Sequence, residues 1–288
     1  MLDAPAAGLS FEALAPFPRD FPQDSMIRSA LMNVMTAAAI KAGRSLKRDF
    51  GEVENLQVSV KGPGDFVTAA DRRAEKVVFE ELSRARPGYS FLMEEGGAVE
   101  GNDKTHTWHI DPLDGTSNFL HGIPIFAVSI GLEREGQLVA GVVYNPATDD
   151  MFVAEKGQGA YFNNRRMRVA SRKSLTDSLV ACGIPPLAAL DRHPRFQTEL
   201  AAVMAKTGNV RRLGAAALDL AFVAAGRCDG YWERGIKPWD IAAGIVLVRE
   251  AGGFVTDLEG GGDMLPKGAI CAGNEAIHRL LLDSVRKA

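Results

Sequence analysis

Acidic residues recur in this sequence where strands and loops give way to helix starts: Asp71, Glu94 beside Glu95, Asp111 with Asp114, and Asp240. The densest run is Trp108-His109-Ile110-Asp111-Pro112-Leu113-Asp114-Gly115-Thr116-Ser117-Asn118-Phe119, which begins as an apolar strand and ends in oxygen donors. Asp111 and Asp114 are three residues apart across a proline that stiffens the backbone and removes one donor. Gly115 permits close backbone approach, and Thr116, Ser117 and Asn118 are types that cap a helix. Two carboxylates can hold a hard divalent cation, while the N–H groups of a helix start can hold a phosphate. A proline–aspartate–glycine turn accounts for the same stretch with no chemistry at all.

The acids together narrow the choice. Asp240 follows Pro238, a residue suited to the first helical position, so its carboxylate projects from a helix start. Phosphate hydrolysis uses such a set: two cations about 3.5–4 Å apart hold the attacking and leaving oxygens of an in-line displacement, and several carboxylates hold the cations. Cys182, Cys228 and Cys271 are scattered, and the five histidines form no ligand pattern. His106 and His109, on either side of Trp108, are expected to pack or cap. Metal ligands should therefore be carboxylates, which points to magnesium rather than zinc.

The elements that must position these groups follow from periodicity. Ser25 is placed to cap a helix in which Ile27, Leu31, Val34, Ala38, Ala42 and Leu46 recur at helical spacing, ending near Phe50-Gly51. Lys61-Gly62-Pro63-Gly64 reads as a loop, and Thr68-Ala69-Ala70-Asp71 has the spacing of a capping box. A second amphipathic helix follows, with Ala74, Val77, Val78 and Leu82 on one face, stopped by Pro87. Asp71 in its first turn also suits the helix dipole. Tyr89–Met93 is a short strand delivering Glu94-Glu95, and Thr105–Ile110 is the strand that reaches Asp111.

Beyond the aspartate run, 126–132 and 138–144 read as a hairpin, and Met151–Ala154, Gly159–Phe162 and Met167–Val169 continue an antiparallel meander. The texture changes at Ser171. Strands at Leu179–Cys182, Cys228–Trp232, Phe254–Thr256 and Ala269–Cys271 alternate with helices around Phe196–Val203, Ala215–Ala225, Pro238–Val248 and from Glu275 onward. The expected division is a leader at 1–24, an α+β half at 25–170 carrying the metal site, and an α/β half at 171–288 completing it.

Composition bounds the rest. The 288 residues are 46% hydrophobic and 24% charged, with a formal net charge of −3, an ordinary globular profile. This balance offers no electrostatic footprint for nucleic acid or membrane, and Arg165-Arg166 and Arg211-Arg212 are short enough to be solvated faces. No apolar run reaches membrane-spanning length, and the proline-rich first residues lack the pattern of a secretory signal. An odd, scattered cysteine set favours a reducing cytoplasm.

Glu94-Glu95, the run 108–119 and Lys237-Pro238-Trp239-Asp240-Ile241-Ala242-Ala243-Gly244 closely resemble the signatures of inositol monophosphatases. Asp65-Phe66-Val67-Thr68-Ala69-Ala70-Asp71 and Arg212-Leu213-Gly214-Ala215-Ala216-Ala217 resemble two further blocks of that family, in the right order. The resemblance implies an α+β fold, a layered αβαβα sandwich of the sugar-phosphatase type, usually a homodimer.

It also implies two or three Mg2+ ions held by Glu94, Asp111, the Leu113 carbonyl, Asp114 and Asp240, with Asp111 shared between two ions. Asp71 and Thr116 would position and deprotonate the attacking water. Amides of Gly115, Thr116 and Ser117 would hold phosphate oxygens, and Ala216, Glu233 and Asp240 would meet the substrate. The implied reaction is hydrolysis of a small phosphomonoester, inositol monophosphate first, inhibited by lithium. Histidinol phosphate, fructose 1,6-bisphosphate and 3′-phosphoadenosine nucleotides are the alternatives, and a regulatory protein retaining the fold is the non-enzymatic one.

The sequence departs from the family pattern at several positions, the change at Ser117 being mild because it keeps the hydroxyl. Met93 stands where glycine is frequent, and Ser117 replaces a second threonine. Arg234, after Glu233 on the expected substrate side, adds a cation that would favour a second phosphate or carboxylate.

Overall fold

The apolar stripe ending at Leu46 forms α1, Ala30–Phe50, in the computed structural model, which describes residues 29–50, 52, 58–62 and 65–288. Ser29 caps this helix: its Oγ accepts the Met32 N–H at 3.0 Å. The expected leader, the Ser25 cap, Ile27, Gly51, and Pro63-Gly64 of the expected loop lie outside the described residues. Strands β1, Val58–Gly62, and β2, Asp65–Thr68, pair as an antiparallel ribbon. Helix α2, Ala69–Ala85, follows with Ala74, Val78 and Leu82 buried, and it ends two residues before Pro87. The Thr68 side chain, the predicted cap, is outside the description.

The first sheet then builds up. β3, Ser90–Met93, pairs antiparallel with the short β4, Gly97–Val99, and parallel with β5, His106–Asp114. β5 runs further than its apolar residues predict: Asp111 and Asp114 are strand residues, separated by an irregularity in the pairing with the next strand. The turn expected at Pro112 is thus a break within the strand, and such breaks re-aim side chains beside functional sites. The helix expected after it is α3, Thr116–Leu120. Its N-cap is Gly115 at φ 92°, with no side-chain cap, so backbone geometry does what Thr116, Ser117 or Asn118 was expected to do.

β6, Ala127–Arg134, and β7, Gln137–Asn145, are the expected hairpin, turned through Glu135-Gly136 with both residues at positive φ. β8, Asp150–Glu155, and β9, Gly159–Phe162, extend the meander. Its last member is β10, Arg165–Arg166, rather than 167–169; Met167 N–H bonds back to Ala160 O and leaves the ladder. The sheet has eight strands in the order β10-β9-β8-β7-β6-β5-β3-β4.

β11, Leu179–Cys182, opens the second sheet. It is followed by α4, His193–Met204, β12, Asn209–Arg211, α5, Ala216–Ala224, and β13, Gly230–Arg234. Next come α6, Pro238–Glu250, β14, Phe254–Thr256, and α7, Met264–Lys267, and the chain closes with β15, Ala269–Gly273, and α8, Glu275–Arg286. The five-stranded order is β12-β11-β13-β15-β14, parallel around β11 and antiparallel around β15.

Helices α1 and α2 cover one face of the first sheet, α5 and α6 lie between the sheets, and α4 and α8 cover the far face of the second. This is an α+β sandwich layered αβαβα, in which each sheet buries both faces.

Candidate active site

One cavity of about 180 Å³ gathers residues from both sheets and from the helices between them. Glu94, Asp111, Asp114, Asp219, Glu233, Asp240, Leu113, Gly115, Thr116 and Ala216 line it, with Arg212 as the one cation among the described lining residues. Asp111 and Asp114 come from β5, and Glu94 follows β3, where its N–H bonds to Ile110 O at 3.2 Å. Glu233 comes from β13 and Asp240 from the first turn of α6. Strand ends and helix starts of two sheets converge here because α5 and α6 fill the space between them.

Asp71 does not line the cavity; it stands behind Thr116, 1% exposed. Thr116 Oγ1 lies 3.2 Å from Asp71 Oδ1 and 3.1 Å from Leu113 O. Its single proton goes to one of these acceptors, which leaves lone pairs of Oγ1 for a proton arriving from the cavity. Ser117 is exposed and outside the lining. The first amides of α3 point out of the helix start without intrahelical acceptors, as helix geometry requires.

Asp111, Asp114 and Asp240 are each held by a backbone N–H. Asp111 Oδ1 accepts the Leu113 N–H at 2.9 Å, and Asp240 Oδ2 accepts the Lys237 N–H at 2.9 Å. Asp114 Oδ2 accepts the Ala217 N–H at 2.7 Å and ties β5 to the start of α5. Glu233 is held by the Tyr231 hydroxyl. Two more acids, buried Glu75 and half-buried Glu133, lie outside the cavity. Glu75 of α2 accepts the Glu95 N–H at 2.8 Å and so clamps the turn carrying Glu94. Buried His109 pairs through Nε2 with Glu133 at 3.0 Å.

Crowding and burial set the electrostatics. Burial pushes Asp111 well above the usual carboxylate range, and Glu94, Asp114 and Asp240 push it further. Asp240 is raised by burial and then by Asp114. Asp114 rises to about 7, mainly through burial, although the Ala217 N–H works against the shift. Glu233 also rises to about 7 through burial, opposed by the Tyr231 hydroxyl and the Arg212 guanidinium. Carboxyl groups held close together at one wall raise one another in this way.

The donor set fits a hard cation: carboxylate oxygens and one strand carbonyl, with no sulfur or imidazole among the described lining residues. Among the described residues no trio of acids, histidines or cysteines is already drawn in to a finished metal cage.

Two expectations for cations need correction. Arg234 was expected on the substrate side, but successive strand residues face opposite ways. It turns from Glu233 and pairs with buried Glu199 at 2.6 Å. Arg212, expected to be a solvated face, is the cation at the cavity wall. Asp219 and Tyr231 were also missed; both lie in runs whose apolar neighbours read as core.

A family model described as the inositol monophosphatase family matches residues 28–288. An inositol-1-monophosphatase of Mesorhizobium japonicum is 64% identical over 91% of this chain and 98% of that protein. One of Rhizobium meliloti is 55% identical over the same shares. The crystal structure of the extragenic suppressor protein suhB of Bartonella henselae superimposes with a TM-score of 0.87 at 58% identity, covering 90% of this chain and 100% of that one.

Proposed function

Since the chain belongs to the inositol monophosphatase family and is a phosphoric monoester hydrolase, we propose that its substrate is an inositol monophosphate and its cofactor Mg2+. The observation that carries this reading is the meeting of Thr116, backed by Asp71, with acids from both sheets at one cavity. Glu94, Asp111, the Leu113 carbonyl, Asp114 and Asp240 are the residues that would hold two or three ions. When bound, the ions supply charge for the phosphate and lower the pKa of a coordinated water.

The chain's own residues do the rest. Thr116 Oγ1 accepts a proton of the attacking water and passes its own toward Asp71, a task worth about 10²–10⁴-fold in rate. Amides of Gly115, Thr116 and Ser117 hold phosphate oxygens at the start of α3. Glu233, fixed by Tyr231, and the backbone near Ala216 receive the alcohol. The half at 25–170 would supply most ligands, and the half at 171–288 would supply Asp240 and the alcohol side.

A panel of inositol 1-phosphate, histidinol phosphate, fructose 1,6-bisphosphate and 3′-phosphoadenosine 5′-phosphate, assayed with magnesium, tests the assignment. The expected result is highest kcat/KM on inositol 1-phosphate, with loss of activity in chelator and inhibition by millimolar lithium. A preference for one of the other three esters would reassign the substrate. Every proposed ligand acid is present at the cavity, which supports the catalytic reading over a purely regulatory one. A homodimer in the cytoplasm completes the proposal, and three buried free cysteines support the reducing compartment.

A further inference from the structure

Asp219 is the one acid of the cavity to which the proposed chemistry gives no task. It stands in the first turn of α5, is 1% exposed, and lines the cavity with Glu233 and Asp114. Its backbone N–H is already bonded to Ala215 O at 2.9 Å, so the helix start does not need the carboxyl. Its Oδ1 is nonetheless buried without a hydrogen-bond partner. The other described side chains with such an atom, Ser83, Trp108, His109, Trp232 and Arg234, do not line this cavity.

A buried polar atom left unpaired is costly. The neighbouring α5 positions, Leu218 and Leu220, are fully buried and apolar. An apolar residue at 219 would remove the cost, so retaining the oxygen points to a partner that arrives from the cavity. Asp219 and Glu233 line the same cavity, and after burial Glu233 does most to raise the Asp219 carboxyl.

We propose that Asp219 contacts the substrate, its Oδ1 accepting a hydroxyl of the polyol beside the hydroxyl taken by Glu233. This inference rests on the phosphomonoesterase reading of the cavity. It does not depend on the protonation of Asp219, because Oδ1 accepts a hydrogen bond in either state. A site built to pair with a hydroxyl discriminates against esters that lack one.

The test compares wild type, Asp219→Ala and Asp219→Asn on inositol 1-phosphate and on phenyl phosphate, whose alcohol carries no further hydroxyl. Asp219→Ala should raise KM for inositol 1-phosphate roughly tenfold or more, while its KM and kcat on phenyl phosphate stay within about twofold. Asp219→Asn, whose amide oxygen still accepts, should return inositol 1-phosphate to within about threefold of wild type. Should the alanine variant fail to fold, Asp219→Leu, close in size and without the oxygen, is read the same way. Equal losses on both esters, or no loss on either as a buried water site would give, overturn the proposal alone. A wild type inactive on both esters overturns the phosphatase reading and this inference with it.

Discussion

Asp71 and Thr116 are 45 positions apart in the chain, and their 3.2 Å approach makes the sharpest residue-level test. Asp71→Asn should lower kcat by roughly 10²-fold or more while leaving the magnesium-induced melting shift largely intact. Thr116→Ala should behave alike, and the double variant should lose little more than either single one, since residues acting as a unit are not additive. If Asp71 only served the helix dipole, its loss would cost at most about 1 kcal/mol of stability and leave turnover near wild type. A pH test follows from the crowding. Asp114 holds its proton more tightly in the fold, shifted from 3.8 to about 7, as does Glu233. This contribution to stability is fully present below the unfolded pKa and is lost as pH rises through about 7. In chelator, the melting temperature of Asp114→Asn should therefore depend less on pH between about 4 and 7 than that of wild type. The aspartates and Thr116 were legible because turn-forming and cation-binding types stand at short spacing in one run. Arg212, Asp219 and Tyr231 were not, because their roles come from neighbours distant in the chain.

At the scale of elements, helix α6 must lie close to the first sheet for Asp240 to meet Asp111 and Asp114. Gly131 and Gly141, paired across β6 and β7, provide the room. A Cβ on Gly141 would collide with the Ala243 backbone, and one on Gly131 would press on Ala242. Gly141→Ala should cost about 1–3 kcal/mol, the usual range for overpacking. It should also reduce magnesium affinity by displacing the helix that carries Asp240. Denaturant melts and a magnesium titration of the variant check both; a stable variant with unchanged affinity would mean that α6 does not set the position of Asp240. The hairpin itself was plain from its alternation, but the closeness of α6 depends on which helix crosses which strand pair. Alternation also missed β12, whose three residues Asn209–Arg211 carry a single apolar side chain, Val210, and the break inside β5, where Pro112 read as a turn. Short polar strands take their conformation from their neighbours rather than from their own pattern.

At the scale of the molecule, the cavity is where the two sheet systems are joined. Asn118 Nδ2 donates to Leu213 O at 2.8 Å, Ser129 Oγ donates to Trp239 O at 3.2 Å, and Ala217 N–H reaches Asp114. These bonds bring acids from both systems together, and their mutual repulsion opposes the same union. Cations that bind only the folded state stabilise it by mass action, about 2.7 kcal/mol per site at a hundredfold excess over Kd. Millimolar magnesium should therefore raise the melting temperature by several degrees over chelator. Asp240→Asn separates repulsion from coordination. The asparagine oxygen can still accept the Lys237 N–H that Asp240 accepts now, so the helix start survives. In chelator the variant should melt at or above wild type, because burial and Asp114 disfavour a charge at this position. In magnesium it should melt below wild type, because a proposed ligand is gone with it. Such a crossing of two melting curves requires the same carboxylate to destabilise the metal-free fold and to stabilise the loaded one. A variant that melts lower in both conditions would make Asp240 a structural cap and remove it from the proposed ligand set.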